Sequence, residues 1–284
     1  MKKAIINFTP TGMLPTKQLT PYACLTPDEI IHDVLESRKF GVSMVHLHAR
    51  DEETLEPTWK IETYEKIISG IRKEDEDLVL ITSTSGRSWS EFEKRSEVLD
   101  LKPDMASLTP SSLNFNNQAS ITTPEMVQKL AQKMKELGVK PELEAFDAGM
   151  INYAKYLYKK GLIDPPFFFT FILGNVACAQ ANILNLAVMR SELPENSYFV
   201  VGGVGDSQLN MNVEGLLNAD GIRVGLEDMY FWSAKRERLC TNIEVLERTK
   251  TIMDILEIEA ATPQEVREML GLERVRDYFQ LVAK

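Results

Sequence analysis

The feature that most limits the fold is a rhythm of short apolar runs and helical stretches. Eight runs, at residues 4–9, 43–48, 78–83, 105–108, 142–146, 167–173, 198–202 and 221–224, are each followed by a segment of helical period. That alternation is the pattern of repeated βα units around a parallel sheet. Helix starts recur between the runs. In Thr26-Pro27-Asp28-Glu29 the threonine can cap, proline suits the first turn and glutamate can close a capping box; Thr123-Pro124-Glu125 and Thr262-Pro263-Gln264-Glu265 repeat the chemistry. Eight such units in about 250 residues are the expected count for a (β/α)8 TIM barrel, with an additional C-terminal helix from Thr262. A doubly wound open sheet is the competing architecture. No Pro-, Gly- or Ser-rich linker divides the chain, so residues 1–284 are expected to form one domain.

Composition narrows the partners. The net charge of −10, without a Lys/Arg cluster longer than two, lacks the footprint of a nucleic-acid binder. No apolar stretch approaches a membrane span, and the run after Met1-Lys2-Lys3 is too short for a signal-peptide core. The expected location is the cytoplasm. Three widely spaced cysteines suit a reducing compartment and argue against a thiolate metal site.

Barrel chemistry gathers at the carboxyl ends of the strands. The chain has three histidines, and two of them, His46 and His48, fall at such an end in Val45-His46-Leu47-His48. Alternation points both imidazoles to one face, where they can share a divalent ion, zinc being the first choice. Such a pair can also be two hydrogen-bonded structural histidines. His32 lies within a helical pattern, so a carboxylate must complete a metal site. Ring closure brings the eighth strand, with Arg223 and the acids Glu227 and Asp228, beside the first strands, and Glu227 is the expected third ligand. Two histidines and one carboxylate leave coordination positions open, as a catalytic ion requires. Ser83-Thr84-Ser85-Gly86 follows the third run, Ser107 and Thr109 stand at the fourth, and Glu142 and Glu144 lie in the fifth. The two glutamates share a face of a central strand, so at least one needs a cation such as Arg223. Gly202-Gly203-Val204-Gly205 carries a weak likeness to a phosphate-binding loop.

Taken in order, Val45-His46-Leu47-His48, Lys102-Pro103-Asp104-Met105-Ala106-Ser107-Leu108, Ser112-Leu113-Asn114-Phe115, Pro141-Glu142-Leu143-Glu144 and Arg223-Val224-Gly225-Leu226-Glu227-Asp228 resemble the β-keto acid cleavage enzymes, over nearly the whole chain. The resemblance implies a zinc-bound barrel, usually a homotetramer, that reacts a β-keto acid with an acyl-CoA, commonly acetyl-CoA, to give acetoacetate and a new thioester. It also implies that His46, His48 and Glu227 bind zinc and that Ser83, Gly86 and Ser107 bind the keto acid, with Thr109 a further candidate beside them. Asp228 would act as the base, positioned by Arg223 and Glu144. Ser107 stands where the family more often has threonine. Where members acting on an amino substrate carry a glutamate after the first strand, this chain reads Thr11-Gly12-Met13-Leu14. After the seventh strand it reads Gly205-Asp206-Ser207-Gln208, without the basic and aromatic residues of those members. A neutral or less polar β-keto acid is therefore expected. Three rivals share parts of the pattern: a metal-dependent amidohydrolase barrel, which needs further histidines; a metal aldolase or lyase without CoA; and a non-catalytic barrel.

Overall fold

In the computed structural model, which describes residues 2–273, each of the eight runs is a strand. They are β1 (Lys3–Phe8), β2 (Met44–Leu47), β3 (Val79–Thr82), β4 (Met105–Leu108), β5 (Lys140–Ala145), β6 (Phe167–Leu173), β7 (Ser197–Gly203) and β8 (Gly221–Val224). All neighbouring pairs are parallel, and β8 returns to β1 with Ile5 opposite Gly221 and Asn7 opposite Arg223, so the sheet closes. The open-sheet alternative is excluded.

The helices following the strands are α1 (Pro27–Ser37), α2 (Ile61–Glu74), α3 (Phe92–Ser96), α4 (Pro124–Leu137), α5 (Ala148–Lys159), α6 (Ile183–Ser191), α7 (Gln208–Asn218) and α8 (Asn242–Ile255), with α9 (Pro263–Leu270) added at the end. Thr26 with Glu29 and Thr262 with Glu265 form the expected capping boxes. Thr123 caps α4 from its side chain, but its third helical residue is Met126, which cannot complete a box. Between strands and helices lies a shell of buried aliphatic and aromatic side chains. Two short hairpins, pairing Ala49–Arg50 with Pro57–Thr58 and Leu113–Asn114 with Ala119–Ser120, decorate the loops after β2 and β4.

The barrel interior changes character along its axis. Its lower part is apolar, with Ile5, Met44, Val79, Met105, Phe168 and Val200 in one cluster with Val266 and Leu270 of α9. The added helix therefore plugs the amino-terminal end. Buried Arg267 of α9 grips both oxygens of buried Asp104 at 2.9 and 3.0 Å, and Arg72 pairs with the same carboxylate. The Leu80 amide adds a hydrogen bond to it at 2.8 Å. Above the apolar layer come Asn7, His46, Glu142, Thr170 and Arg223, all buried. A polar layer inside a barrel is costly unless every member finds a partner, and the partners found there define the site.

Candidate active site

Alternation along β2 and the residue after it sends His46 and His48 inward. Their Nε2 atoms face each other at 3.2 Å, and Glu227 Oε1, delivered by the turn after β8, stands 3.3 Å from His48 Nε2. The three ligand atoms lie within 4.8 Å of one another. A zinc ion with ligands at about 2.0–2.1 Å holds tetrahedral neighbours about 3.3 Å apart, so these spacings fit such an ion. Glu227 Oε2 is buried without a hydrogen-bond partner among the described residues, a donor atom that a bound cation would satisfy.

Glu142 supports the pair from behind. Its Oε2 lies 2.7 Å from His46 Nδ1, while its Oε1 accepts from Asn7 at 2.8 Å and Thr170 at 2.6 Å. In its neutral form His46, donating Nδ1–H to Glu142, would turn the Nε2 lone pair toward His48, the carboxylate–histidine arrangement that orients metal-binding imidazoles. Burial opposes charge on His46, but Glu142 pushes its pKa up to about 9. For His48 burial prevails over Glu227 and lowers it. Glu142 itself is held below the usual range because His46 outweighs its burial. The cation expected for the two strand glutamates thus differs between them: His46 serves Glu142, and Arg223 serves Glu144.

Arg223 is surrounded by acids. Its Nε lies 2.8 Å from Asp228 Oδ2, Nη2 lies 2.8 Å from Glu227 Oε1, and Nη1 lies 3.6 Å from Glu144 Oε1. Its stem runs across Gly202, where a Cβ would come within 3.1 Å of it, so the glycine of the presumed phosphate loop makes room for arginine. Burial raises Asp228, with Glu227 adding to it against Arg223; burial likewise raises Glu144, with Glu142 adding to it. Glu227 is buried too, yet Arg223 and His48 hold it well below the carboxylate range. One anionic ligand beside two carboxyls of raised proton affinity is a useful division: the first suits a metal and the others suit proton transfer.

Three buried amides fix the backbone that presents these groups. Asn212 donates to Arg223 O at 2.7 Å and Gln208 to Gly225 O at 2.8 Å, both from α7. At the start of α8, Asn242 accepts from Leu226 N at 3.0 Å and donates to Asp33 at 2.8 Å and to Pro10 O at 3.1 Å. The loop after β1 closes over Glu227. Gly12, at φ +68°, approaches so near that an added Cβ would lie 2.3 Å from Glu227 Cγ. Arg50 ties this loop down through Gly12 O at 2.7 Å and Pro15 O at 3.0 Å. None of these supports was foreseen, because each joins residues distant in sequence.

A cavity of about 150 Å³ opens on the group, and His48, Glu144, Arg223, Glu227 and Asp228 form its floor. Of the expected substrate residues, Ser83 and Thr109 line it, and Thr109 donates to Glu144 at 2.8 Å. Ser107 and Gly86 stand behind the wall. The Ser107 hydroxyl accepts from Thr84 N at 3.1 Å, and a Cβ on Gly86 would strike Arg95 and the Ile121 carbonyl, so both shape the loop after β3. Met13, Leu14, Phe146, Ile172 and Val204 supply the apolar wall. Arg87, which the sequence reading passed over, is a second guanidinium on the cavity and lies 3.5 Å from the centroid of the Phe115 ring.

Comparison with known proteins identifies the family. A family model described as beta-keto acid cleavage enzyme matches residues 3–272. The 3-keto-5-aminohexanoate cleavage enzyme of Fusobacterium nucleatum is 34% identical over 275 residues, 96% of this chain and 100% of that one. The 3-oxoadipate:acetyl-CoA acetyltransferase of Cupriavidus necator is 32% identical over 273 residues, covering 94% of each. Among solved structures, apo ObcA superposes with a TM-score of 0.74 at 20% identity, over 89% of this chain and 66% of that one, which supports the barrel fold alone. The chain is an enzyme and belongs to the β-keto acid cleavage enzyme family.

Proposed function

We propose that the chain, as one barrel domain, exchanges acyl groups between a β-keto acid and acetyl-CoA, releasing acetoacetate and a new acyl-CoA. The observation that carries this reading is the convergence of two imidazole Nε2 atoms and a carboxylate, 3.2 and 3.3 Å apart, on a cavity that also holds Asp228, Arg223 and Glu144. His46, His48 and Glu227 would hold zinc. Bound there, a divalent ion supplies Lewis-acid polarisation of the keto oxygen.

The remaining roles fall to the chain itself. Asp228, raised by burial, takes the C2 proton of the keto acid, while Arg223 holds the Asp228 carboxylate in place and Glu144 balances the guanidinium. The C2 carbanion attacks the thioester carbon and expels CoA thiolate. The thiolate then adds to the C3 carbonyl and the C2–C3 bond breaks. The acetoacetate carbanion recovers the proton from Asp228, so atoms and charge balance. Ser83 and Thr109, with the loop held by Gly86 and Ser107, position the keto acid.

Met13, Leu14 and Val204 give the cavity an apolar wall, which favours a neutral or apolar tail over an amino-substituted one. The exposed apolar side chains Val176, Ile183, Leu184 and Val188 around α6, with Leu184 71% exposed, support self-association; a homotetramer is the proposed assembly, which light scattering in solution tests. We place the protein in the cytoplasm; among the described residues no helix is long and apolar enough to cross a membrane. The decisive assay incubates zinc-loaded protein with a panel of β-keto acids and acetyl-CoA and follows acetoacetate. Acetyl-CoA-dependent release, fastest with uncharged tails, supports the reading. Cleavage that proceeds equally without acetyl-CoA, or no turnover across the panel, overturns it.

A further inference from the structure

We propose that Arg95 is a positioning residue for the keto acid, a buried clamp that ties the loop after β3 to the loop after β4 and so fixes the spacing of the cavity wall that bears Ser83 and Thr109. This rests on the functional reading above. Arg95 belongs to α3 and is buried. Its Nε donates to Thr84 O at 2.9 Å, its Nη1 to Ile121 O at 3.1 Å and its Nη2 to Thr122 Oγ1 at 3.2 Å. One planar group thus holds acceptors from two loops, an arrangement that an ammonium on a flexible stem does not reproduce.

Arg95 differs from the arginines that meet carboxylates. Arg72 and Arg267 share Asp104, and Arg223 faces three acids. Among the described residues Arg95 has neutral acceptors alone. Burial lowers its pKa to about 10 with no acid opposing the shift, so it stays charged at neutral pH. A buried cation without a counterion is costly, and what it secures here is loop geometry through charge-assisted bonds to backbone and hydroxyl oxygens. Gly86 makes the clamp possible. A Cβ there would lie 2.6 Å from Arg95 Nη1 and 2.7 Å from Ile121 O, the two atoms that the hydrogen bond joins. Each anchor is tied onward. Thr84 donates from its amide to Ser107 Oγ at 3.1 Å and from its hydroxyl to Ser107 O at 2.6 Å, and the Thr122 amide donates to Ser112 Oγ at 2.9 Å. Next to these anchors in the chain, Ser83, Ser85 and Ser120 line the cavity, as does Thr109. The proposed metal ligands come instead from β2, the residue after it and the turn after β8. Loosening the clamp therefore weakens the hold on the keto acid and leaves the metal-binding residues in place.

The test compares Arg95→Lys, Thr122→Val and the double variant with wild type, with circular dichroism and urea unfolding on each. Arg95→Lys keeps the charge and loses the fork. It is expected to raise KM for the keto acid about 10-fold or more, while KM for acetyl-CoA and the affinity for zinc stay within about twofold. Thr122→Val removes one acceptor, should raise the same KM about threefold, and reads the clamp even where Arg95→Lys fails to fold. In the double variant the two effects should combine to less than their product, because both act through one guanidinium. Calorimetric binding of acetoacetate to the zinc-loaded proteins should weaken in the same order, and that arm needs no turnover. Weakened acetoacetate binding in a protein that never turns over upholds the clamp and refutes the functional reading. Acetoacetate affinity that is absent in wild type or unchanged in the variants, a KM rise shared equally by acetyl-CoA, or lost stability with wild-type kinetics overturns it.

Discussion

The two ends of this barrel use the same ingredients in opposite proportions. At the amino-terminal end one carboxylate, Asp104, is held by two arginines, Arg72 and Arg267, and by the Leu80 amide. At the carboxyl-terminal end one arginine, Arg223, is crowded by three acids, Glu144, Glu227 and Asp228. Asp104 has both oxygens satisfied. Among the described residues, the upper cluster leaves Glu227 Oε2 and Arg223 Nη1 buried without hydrogen-bond partners. A closed network stabilises a fold and reacts with nothing, whereas an acid-rich, incompletely paired one is unstable until a cation arrives. The difference separates the end of the barrel that holds the chain together from the end that carries out chemistry.

Substitutions can break or sharpen that contrast. The largest effect is expected at the upper end: Glu227→Gln or His48→Ala should lower turnover by about 10³-fold or more, several kcal/mol of lost Lewis-acid stabilisation, with little loss of folding stability in the metal-free protein. Steady-state rates and urea unfolding of the same preparations decide it. A metal-free protein destabilised by either change would erase the contrast. Asp104→Ala should do the reverse, costing about 3–5 kcal/mol by stranding two buried arginines, while the folded fraction keeps its activity per molecule. Glu142→Gln tests whether the layer beneath the proposed metal site belongs to the chemistry: zinc affinity should fall about 10- to 100-fold, read by competition with a chelator. Thr109→Val is the smallest, removing one hydroxyl from Glu144 while Arg223 remains, and should cost about 1 kcal/mol, near fivefold in kcat.

Most of the barrel was legible in the sequence because strand and helix periods are local properties. The predicted runs at 105–108, 167–173 and 221–224 coincide with β4, β6 and β8, and the others shift by one or two residues at their ends. Period also placed His46 and His48 on one face, and ring closure brought Glu227 to them. Period could not say which cation each strand glutamate would meet, since that depends on contacts across the barrel, and Glu142 turned out to serve His46. The same limit hid Gly12, Asn242 and Arg95. Their roles come from Glu227, Leu226 and Ile121, and nothing adjacent in the chain announces those contacts. The extra helix from Thr262 was visible from its cap, but its work as the lower plug required knowing that Asp104 lies beneath the barrel.

The central claim is the proposal that the upper cluster binds a divalent metal ion through His46, His48 and Glu227. It is tested most directly by titrating zinc into metal-free wild type and His46→Ala by calorimetry, with circular dichroism to establish that both are folded. One zinc bound per wild-type chain, and at least a 100-fold weaker affinity in the variant, is the expected result, since the variant loses one of three ligands. Equal zinc binding by the two proteins, or acetyl-CoA-dependent turnover by wild type stripped of all divalent metal, would contradict the account.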